Sequence, residues 1–242
     1  MHLSEATWTD IRDATTDLAV LPVGSTEQHG PHAPLGVDWL TAEAIAEAGV
    51  DRYADTHGEK PLVGPTIPVG VAEEHRDFDG TLWVSPDTFR SYVGETVASL
   101  ASHGFERVVI VNGHGGNVDA LNEVCARLTR DGDAYAVQYT WFDAVDFASL
   151  GHGGPAETAV MRHLHPELVR EDRTDTAAEG AADSWGEWVS GTNLAVDSSS
   201  FTESGAVGDP REGDADLGEE LFEKAAAALV ELLDAVERRS LA

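Results

Sequence analysis

Four consecutive β-branched residues, Val108 to Val111, constrain the fold of this chain more than any other feature. A run that is apolar at every position is typical of a strand whose two faces are both buried. Such strands occur in parallel sheets that are covered by helices on both sides. The sequence therefore predicts an α/β protein with a sheet at its centre.

The rest of the chain alternates between strand-like and helix-like segments. Three more segments have strand composition: residues 17–23, 61–71 and 134–140. Two prolines in the second of these favour an edge or irregular strand. Four segments show helical signals: residues 39–53, 85–103, 117 onward and 217–241. This alternation predicts one domain over residues 1–242, with a mostly parallel sheet wrapped by helices.

The net charge of −29 excludes several function classes. With 44 acidic residues against 15 Lys and Arg, binding of nucleic acid through phosphate neutralisation is not expected. No apolar stretch approaches the ~20 residues that span a bilayer, so we expect no membrane partner. The polar N-terminus lacks a secretory signal and favours a cytoplasmic location. The spread of acidic residues predicts a protein adapted to multimolar salt, and an ordinary acidic protein is the alternative.

The first chemical motif follows the predicted strand 17–23. Glu27 and His29 are two residues apart on an extended chain, so their side chains point to the same face. Asp38 closes the motif. A carboxylate and an imidazole at the end of a buried strand are typical ligands of a transition metal.

Two further glycine-rich turns carry histidines. His114 follows the 108–111 strand. A phosphate loop is the alternative for this turn, but the terminal Lys-Ser/Thr of a P-loop is missing. His152 precedes Pro155, a residue that suits the first turn of a helix. Glu157 then lies in that turn, where a carboxylate is also favoured simply by the helix dipole.

Taken together, the motifs supply five mixed oxygen and nitrogen ligands: Glu27, His29, Asp38, His114 and Glu157. Five ligands exceed what one tetrahedral zinc ion uses. They suit two metal ions bridged by a carboxylate and a water, with Asp38 as the natural bridge. His152 would then be free to move protons. The sequence therefore predicts a metal-dependent hydrolase.

Five blocks of the chain resemble the creatininase (creatinine amidohydrolase) family, in the same order. They are GSTEQHGPH with PLGVD (24–38), EHRDFDGTL (74–82), NGHGGN (112–117), HGGPAET (152–158) and GDP (208–210). The resemblance implies a three-layer α/β/α sandwich with a dinuclear site of zinc, manganese or iron. It implies a homo-oligomer, often a hexamer, and makes Glu27, His29, Asp38 and His114 ligands and His152 a catalytic histidine.

Two positions depart from the pattern of the creatinine-cleaving members. Those members carry a glutamate ligand where this chain has Gly116, and a glutamate before the catalytic histidine where it has Gly151. The most plausible replacement ligand is Glu157, as in other branches of the family, and we include it with His152 in the catalytic set. The departures weaken creatinine itself as the substrate.

The expected reaction is hydrolysis of a non-peptide amide C–N bond in a small, creatinine-like molecule. A metal-activated water would attack the carbonyl, and His152 would protonate the departing nitrogen. Four residues are expected to contact the substrate: His32, His75, Gly115 and Gly116. One alternative is a formamidopyrimidine ribonucleotide deformylase, in which Arg76 and backbone N–H groups would bind the phosphate. Another is a catalytically silent binding subunit.

Overall fold

The centre of the protein is a four-stranded sheet in which every neighbouring pair is parallel. The computed structural model describes residues 1–145 and 150–241. In the order β2-β1-β3-β4, its strands are β1 (Leu18–Val23), β2 (Leu62–Val63), β3 (Arg107–Asn112) and β4 (Tyr135–Thr140). The predicted parallel sheet is confirmed.

Helices cover the sheet and connect its strands along the chain. They are α1 (Trp8–Arg12), α2 (Val37–His57), α3 (Pro86–Ser102), α4 (Val118–Asp131), α5 (Trp141–Ala144), α6 (Pro155–Leu164), α7 (Thr174–Glu179) and α8 (Ala215–Glu237). A small antiparallel hairpin is formed by β5 (Trp188–Val189) and β6 (Thr192–Asn193). Among the described residues, the helices all fall short of the length and apolar character that crossing a membrane requires.

Successive side chains of the central strands enter two separate cores. Val109 and Val111 of β3 pack in one cluster with residues of α2, α6 and α8. Val108 and Ile110 pack in the other with residues of α3 and α4. Both faces of β3 are therefore buried, as the 108–111 run predicts, and the protein is a three-layer α/β/α sandwich.

The segment 61–71 forms less strand than its composition suggests. Only Leu62 and Val63 pair continuously with β1, at the edge of the sheet, and Ile67 makes an isolated bridge to Val23. Pro65 and Pro68 have no N–H to donate, so the ladder cannot continue through them.

The parallel strands bring the chemical motifs to one edge. The chain leaves β1 towards Glu27 and His29, and it leaves β3 towards His114. Because the carboxyl ends of neighbouring parallel strands lie side by side, these segments meet. Helix α2 begins at Val37 rather than at Trp39, which places Asp38 in its first turn beside them.

We expect the core between the sheet and α8 to dominate stability. Leu229 of α8 is fully buried, so Leu229→Ala should lower the free energy of unfolding by about 2–5 kcal/mol through lost burial and a residual cavity. Urea unfolding at constant KCl measures the loss. The matched control is Leu194→Ala on the exposed side of the hairpin, where the change should stay within about 0.5 kcal/mol. Equal losses in both variants would contradict this assignment of the core.

Candidate metal centre

Five buried side chains from four segments converge beyond the ends of β1 and β3. They are the predicted ligands Glu27, His29, Asp38, His114 and Glu157, and none is more than 6 % exposed. The extended segment after β1 provides the first two, and the first turns of α2 and α6 provide Asp38 and Glu157. His114 begins the turn that joins β3 to α4. The structure therefore brings together all five residues that the sequence singled out.

The five residues form two triads that share Asp38. In one, His114 Nδ1 lies 3.1 Å from Glu27 Oε1 and 3.3 Å from Asp38 Oδ2. In the other, His29 Nε2 lies 3.0 Å from Asp38 Oδ1 and 3.6 Å from Glu157 Oε2. Each Asp38 oxygen faces a different triad, which is the arrangement of a bridging carboxylate. Glu27 and His29 also form a possible triad with His152.

Backbone carbonyls orient both imidazoles in this arrangement. The Nδ1–H of His29 donates to the carbonyl oxygen of Glu27 at 3.2 Å, which leaves Nε2 to face the cluster. The Nε2–H of His114 donates to the carbonyl oxygen of Val71 at 2.7 Å, which leaves Nδ1 to face it. Outer hydrogen bonds of this kind fix the tautomer and ring orientation of metal-binding histidines.

The cluster contains polar atoms that the protein itself does not satisfy. With both imidazoles unprotonated on the side that faces the cluster, both carboxylate oxygens of Glu27, Nε2 of His29 and Oδ2 of Asp38 are buried without a hydrogen-bond partner among the described residues. Burial of such atoms is costly unless a partner is supplied. Mixed carboxylate and imidazole donors around a shared carboxylate fit two divalent cations.

The pKa values of the cluster residues are strongly shifted in the metal-free protein. Burial raises the pKa of Glu157 to about 7. Burial opposes the charged form of His29, but the carboxylates of Asp38 and Glu157 raise its pKa to about 10. Burial likewise opposes ionisation of Asp38, yet His29 and His114 hold its pKa at about 2. Without metal, the two imidazoles therefore carry protons that a bound cation would displace.

His152 lies beside the cluster as a neutral base. Its Nε2–H donates to the carbonyl oxygen of Gln28 at 2.7 Å, and its Nδ1 faces Glu27 Oε1 at 3.9 Å. Burial, followed by the charge of His29, lowers the pKa of His152 well below its usual value. The ring centroids of His29 and His75 each lie 4.3 Å from that of His152. The imidazole of His152 is therefore neutral, and its unprotonated Nδ1 is the nitrogen that faces the cluster.

A cleft of about 370 Å³ opens over these residues. Among the predicted substrate contacts, His75, Gly115 and Gly116 line it, as does His152. Sequence reasoning missed four further lining residues: Glu74, Phe142, Leu150 and Trp185. A larger groove of about 920 Å³ lies between α1 and α3, away from the ligand cluster.

The structure does not place His32 in the cleft. The side chain is fully buried, and its Nε2 lies 2.8 Å from the hydroxyl oxygen of Thr158 in α6. Burial, followed by the charge of Arg162, lowers its pKa to about 4. His32 therefore packs behind the site as a neutral residue, because the turn that follows His29 directs its ring towards α6.

Gln28 connects the ligand motif to the wall of the cleft, a role the sequence did not reveal. Its amide nitrogen donates to His75 Nδ1 at 2.8 Å and to the carbonyl oxygen of Gly205 at 3.0 Å. Trp185 then packs edge-on against His75 and His152, with ring centroids 5.5 and 5.7 Å away. Two features of the sequence could have indicated these contacts. One is the position of Gln28 between two predicted ligands, and the other is the isolated Trp185 in a polar segment.

The two glycines that depart from the creatinine-cleaving pattern are required by the backbone. A Cβ at position 116 would overlap the carbonyl oxygen of Val71. Gly151 has a φ of +69°, and a Cβ there would overlap the carbonyl oxygen of Val207. A glutamate at either position would require the surrounding backbone to move.

Comparison with known families assigns the chain. Residues 4–233 match the family described as "Creatininase: Creatinine amidohydrolase". The match covers nearly the whole chain and includes every residue of the cluster. This protein belongs to the creatininase family.

Relatives of this protein are named for more than one hydrolytic activity. The mycofactocin precursor peptide peptidase of Mycolicibacterium smegmatis is 36% identical over 209 residues, which are 85% of this chain and 79% of that protein. The creatinine amidohydrolase of Pseudomonas putida is 29% identical over 201 residues, which are 72% of this chain and 75% of that protein. The relatives are thus hydrolases, and their substrates differ.

Solved structures share the fold. A creatinine amidohydrolase structure superposes with a TM-score of 0.80 at 24% identity and covers 99% of this chain and 98% of its own. A manganese form of creatininase gives a TM-score of 0.79 at 24% identity, with 97% of each chain covered. A zinc–zinc form also matches, with a TM-score of 0.78 at 23% identity and 97% of each chain covered.

The shared carboxylate predicts how metal content responds to substitution. Purified protein should bind two divalent ions, His114→Ala or His29→Ala should each lose one, and Asp38→Ala should lose both. The reason is that each histidine serves one of the two triads that share Asp38, while Asp38 serves both of them. Elemental analysis after zinc loading measures the content, with circular dichroism to check the fold and exposed His103→Ala as the control. Full metal content in Asp38→Ala would exclude the bridging role.

Metal binding should release protons and weaken as the pH falls. In the metal-free protein the pKa of His29 is about 10, and that of Glu157 is about 7. The pKa of His114 is also raised well above its usual value. A bound cation needs neutral imidazoles and an ionised carboxylate, so zinc affinity should fall from pH 8 to pH 6, with roughly two protons released per protein at pH 8 and roughly three at pH 6. Calorimetry in buffers of different ionisation enthalpy counts them. A zinc affinity that does not change with pH would contradict this.

Proposed function

We propose that this chain is a metal-dependent amidohydrolase that cleaves the amide C–N bond of a peptide-like substrate. The observation that carries the proposal is the pair of ligand triads sharing Asp38 below a cleft that also contains neutral His152. When bound, two divalent ions acidify water and polarise a carbonyl group. Every other requirement of the reaction falls on side chains of this protein.

His152 is the residue that moves the proton. Its Nε2–H is occupied by the carbonyl oxygen of Gln28, so Nδ1 accepts the proton of the attacking water. The same atom then donates that proton to the departing nitrogen. A side chain that exchanges protons in this way contributes about 10²–10⁴-fold to the rate.

Two observations favour a peptide-like amide over creatinine. Glycines replace the two glutamates of the creatinine-cleaving pattern, and the backbone around Gly116 and Gly151 leaves no room for those side chains. The peptidase relative is also more similar to this chain than the creatinine amidohydrolase, at 36% against 29% identity. A creatinine-like cyclic amide is the second candidate, supported by the description of the family.

The remaining alternatives have less support. A nucleotide substrate needs a cation for its phosphate, but Arg76 points its guanidinium at Asp197, at 2.9 Å, and at Glu73, at 3.6 Å. Among the residues described, the cleft is lined by neither lysine nor arginine. A catalytically silent subunit would have no reason to keep both triads together with His152.

A substrate panel tests the proposal. Zinc- or manganese-loaded protein in multimolar KCl should release amines from short peptides, and a chelator should abolish the release. Creatinine should be turned over at least about tenfold more slowly, because the two glutamates of the creatinine-cleaving pattern are missing. Faster turnover of creatinine would overturn the peptide-like substrate and keep the amidohydrolase. If fully metal-loaded protein cleaves neither class, the proposed function is wrong.

Replacement of His152 tests its role. His152→Gln should lower kcat by about 10²–10⁴-fold while metal content stays at the wild-type level, because its Nδ1 carries the proton and not the metal. The control is His165→Gln at the end of α6, outside the cleft. An unchanged kcat would exclude His152 as the proton carrier, and a loss of metal would assign it to the third triad instead.

A further inference from the structure

One carboxylate in the wall of the cleft has no part in the metal cluster. Glu74 lies in the 3-10 helical turn Glu73–His75, and its side chain is 24 % exposed. It belongs to none of the possible ligand triads. Among the described residues its only charged contact is with His114 Nε2, at 3.9 Å.

Glu74 is not needed to orient His114. The Nε2–H of that imidazole already donates to the carbonyl oxygen of Val71 at 2.7 Å, a much better hydrogen bond. If Glu74 served only to orient His114, it would have to accept this N–H in place of the carbonyl oxygen of Val71. Glu74 therefore presents its charge to the cleft rather than to the metal cluster.

Within the described part of the chain, neither a lysine nor an arginine pairs with Glu74. The nearest arginine along the chain, Arg76, pairs with Glu73 and Asp197. The other walls of the cleft include the apolar side chains of Phe142, Leu150 and Trp185. A partly buried carboxylate in such surroundings is stabilised by a cation that enters with the ligand.

We infer that Glu74 binds a cationic nitrogen of the substrate, so that the cleft selects amides that carry an ammonium or guanidinium group near the scissile bond. The inference rests on the proposed function. Glu74 faces the Nε2 edge of His114, whose Nδ1 belongs to a metal triad. The cationic group would thus lie near the Nε2 edge of the His114 ring, and the reacting carbonyl near its Nδ1 edge.

Hydroxamates test this without knowledge of the natural substrate, because they chelate metal ions directly. The two probes are β-alanine hydroxamate and butyrohydroxamate, in which a methyl group replaces the ammonium group. Dissociation constants are measured by calorimetry on zinc-loaded protein, at the lowest KCl concentration at which it stays folded. Low salt is required because ions screen a partly exposed pair.

Wild-type protein should bind the cationic probe about tenfold more tightly, the size expected for one charge-assisted hydrogen bond in a partly exposed site. Glu74→Gln should lose this preference and keep its affinity for butyrohydroxamate and its zinc content. The matched control is Glu73→Gln in the same turn, whose side chain is 58 % exposed and pairs with Arg76; it should keep the preference.

Four results would overturn the inference. A preference that survives in Glu74→Gln would show that another group binds the cation, and zinc loss in that variant would assign Glu74 to the metal centre. Equal binding of both probes by wild-type protein would overturn the inference alone. If neither probe binds protein with full zinc content, the proposed function fails and the inference fails with it.

Discussion

The structure depends on three buried carboxylates whose negative charge is not fully balanced by the protein's own side chains. Glu27, Asp38 and Glu157 are nearly or fully buried within one cluster. Carboxylates in the interior require positive partners, and the imidazoles of His29 and His114 are the ones that the chain supplies. Divalent cations are stronger partners, and they free these imidazoles of their protons. The two cores that bury both faces of the sheet serve to hold this edge in place.

Much of this arrangement could be predicted because it follows from local rules. The 108–111 run showed that both faces of a strand are buried, and parallel strands necessarily bring their carboxyl ends to one edge. The alternation of an extended chain correctly placed Glu27 beside His29. The rule does not extend to His32, which was expected to contact the substrate, because Gly30 adopts a φ of +74° and turns the chain before that residue. Beyond such a turn, spacing no longer tells which face a side chain joins.

The walls of the cleft could not be predicted, because long-range contacts determine them. Trp185 reaches His75 and His152 from a segment that has no helical or strand period. Gln28 is fixed by the carbonyl oxygen of Gly205, far along the chain. The sequence offered a tryptophan and an amide at these positions, but their orientation depends on how the 166–213 segment folds back over the sheet edge. Single-sequence patterns contain no information on that path.

The absence of a side chain at Gly116 also shapes the wall of the cleft. A Cβ at position 116 would lie only 3.0 Å from Oε1 of Glu74. A glutamate there would crowd Glu74 and place a second negative charge against it. The glycine therefore leaves Glu74 its place in the cleft, and the charge that the cleft offers to a ligand depends on a position that has no side chain.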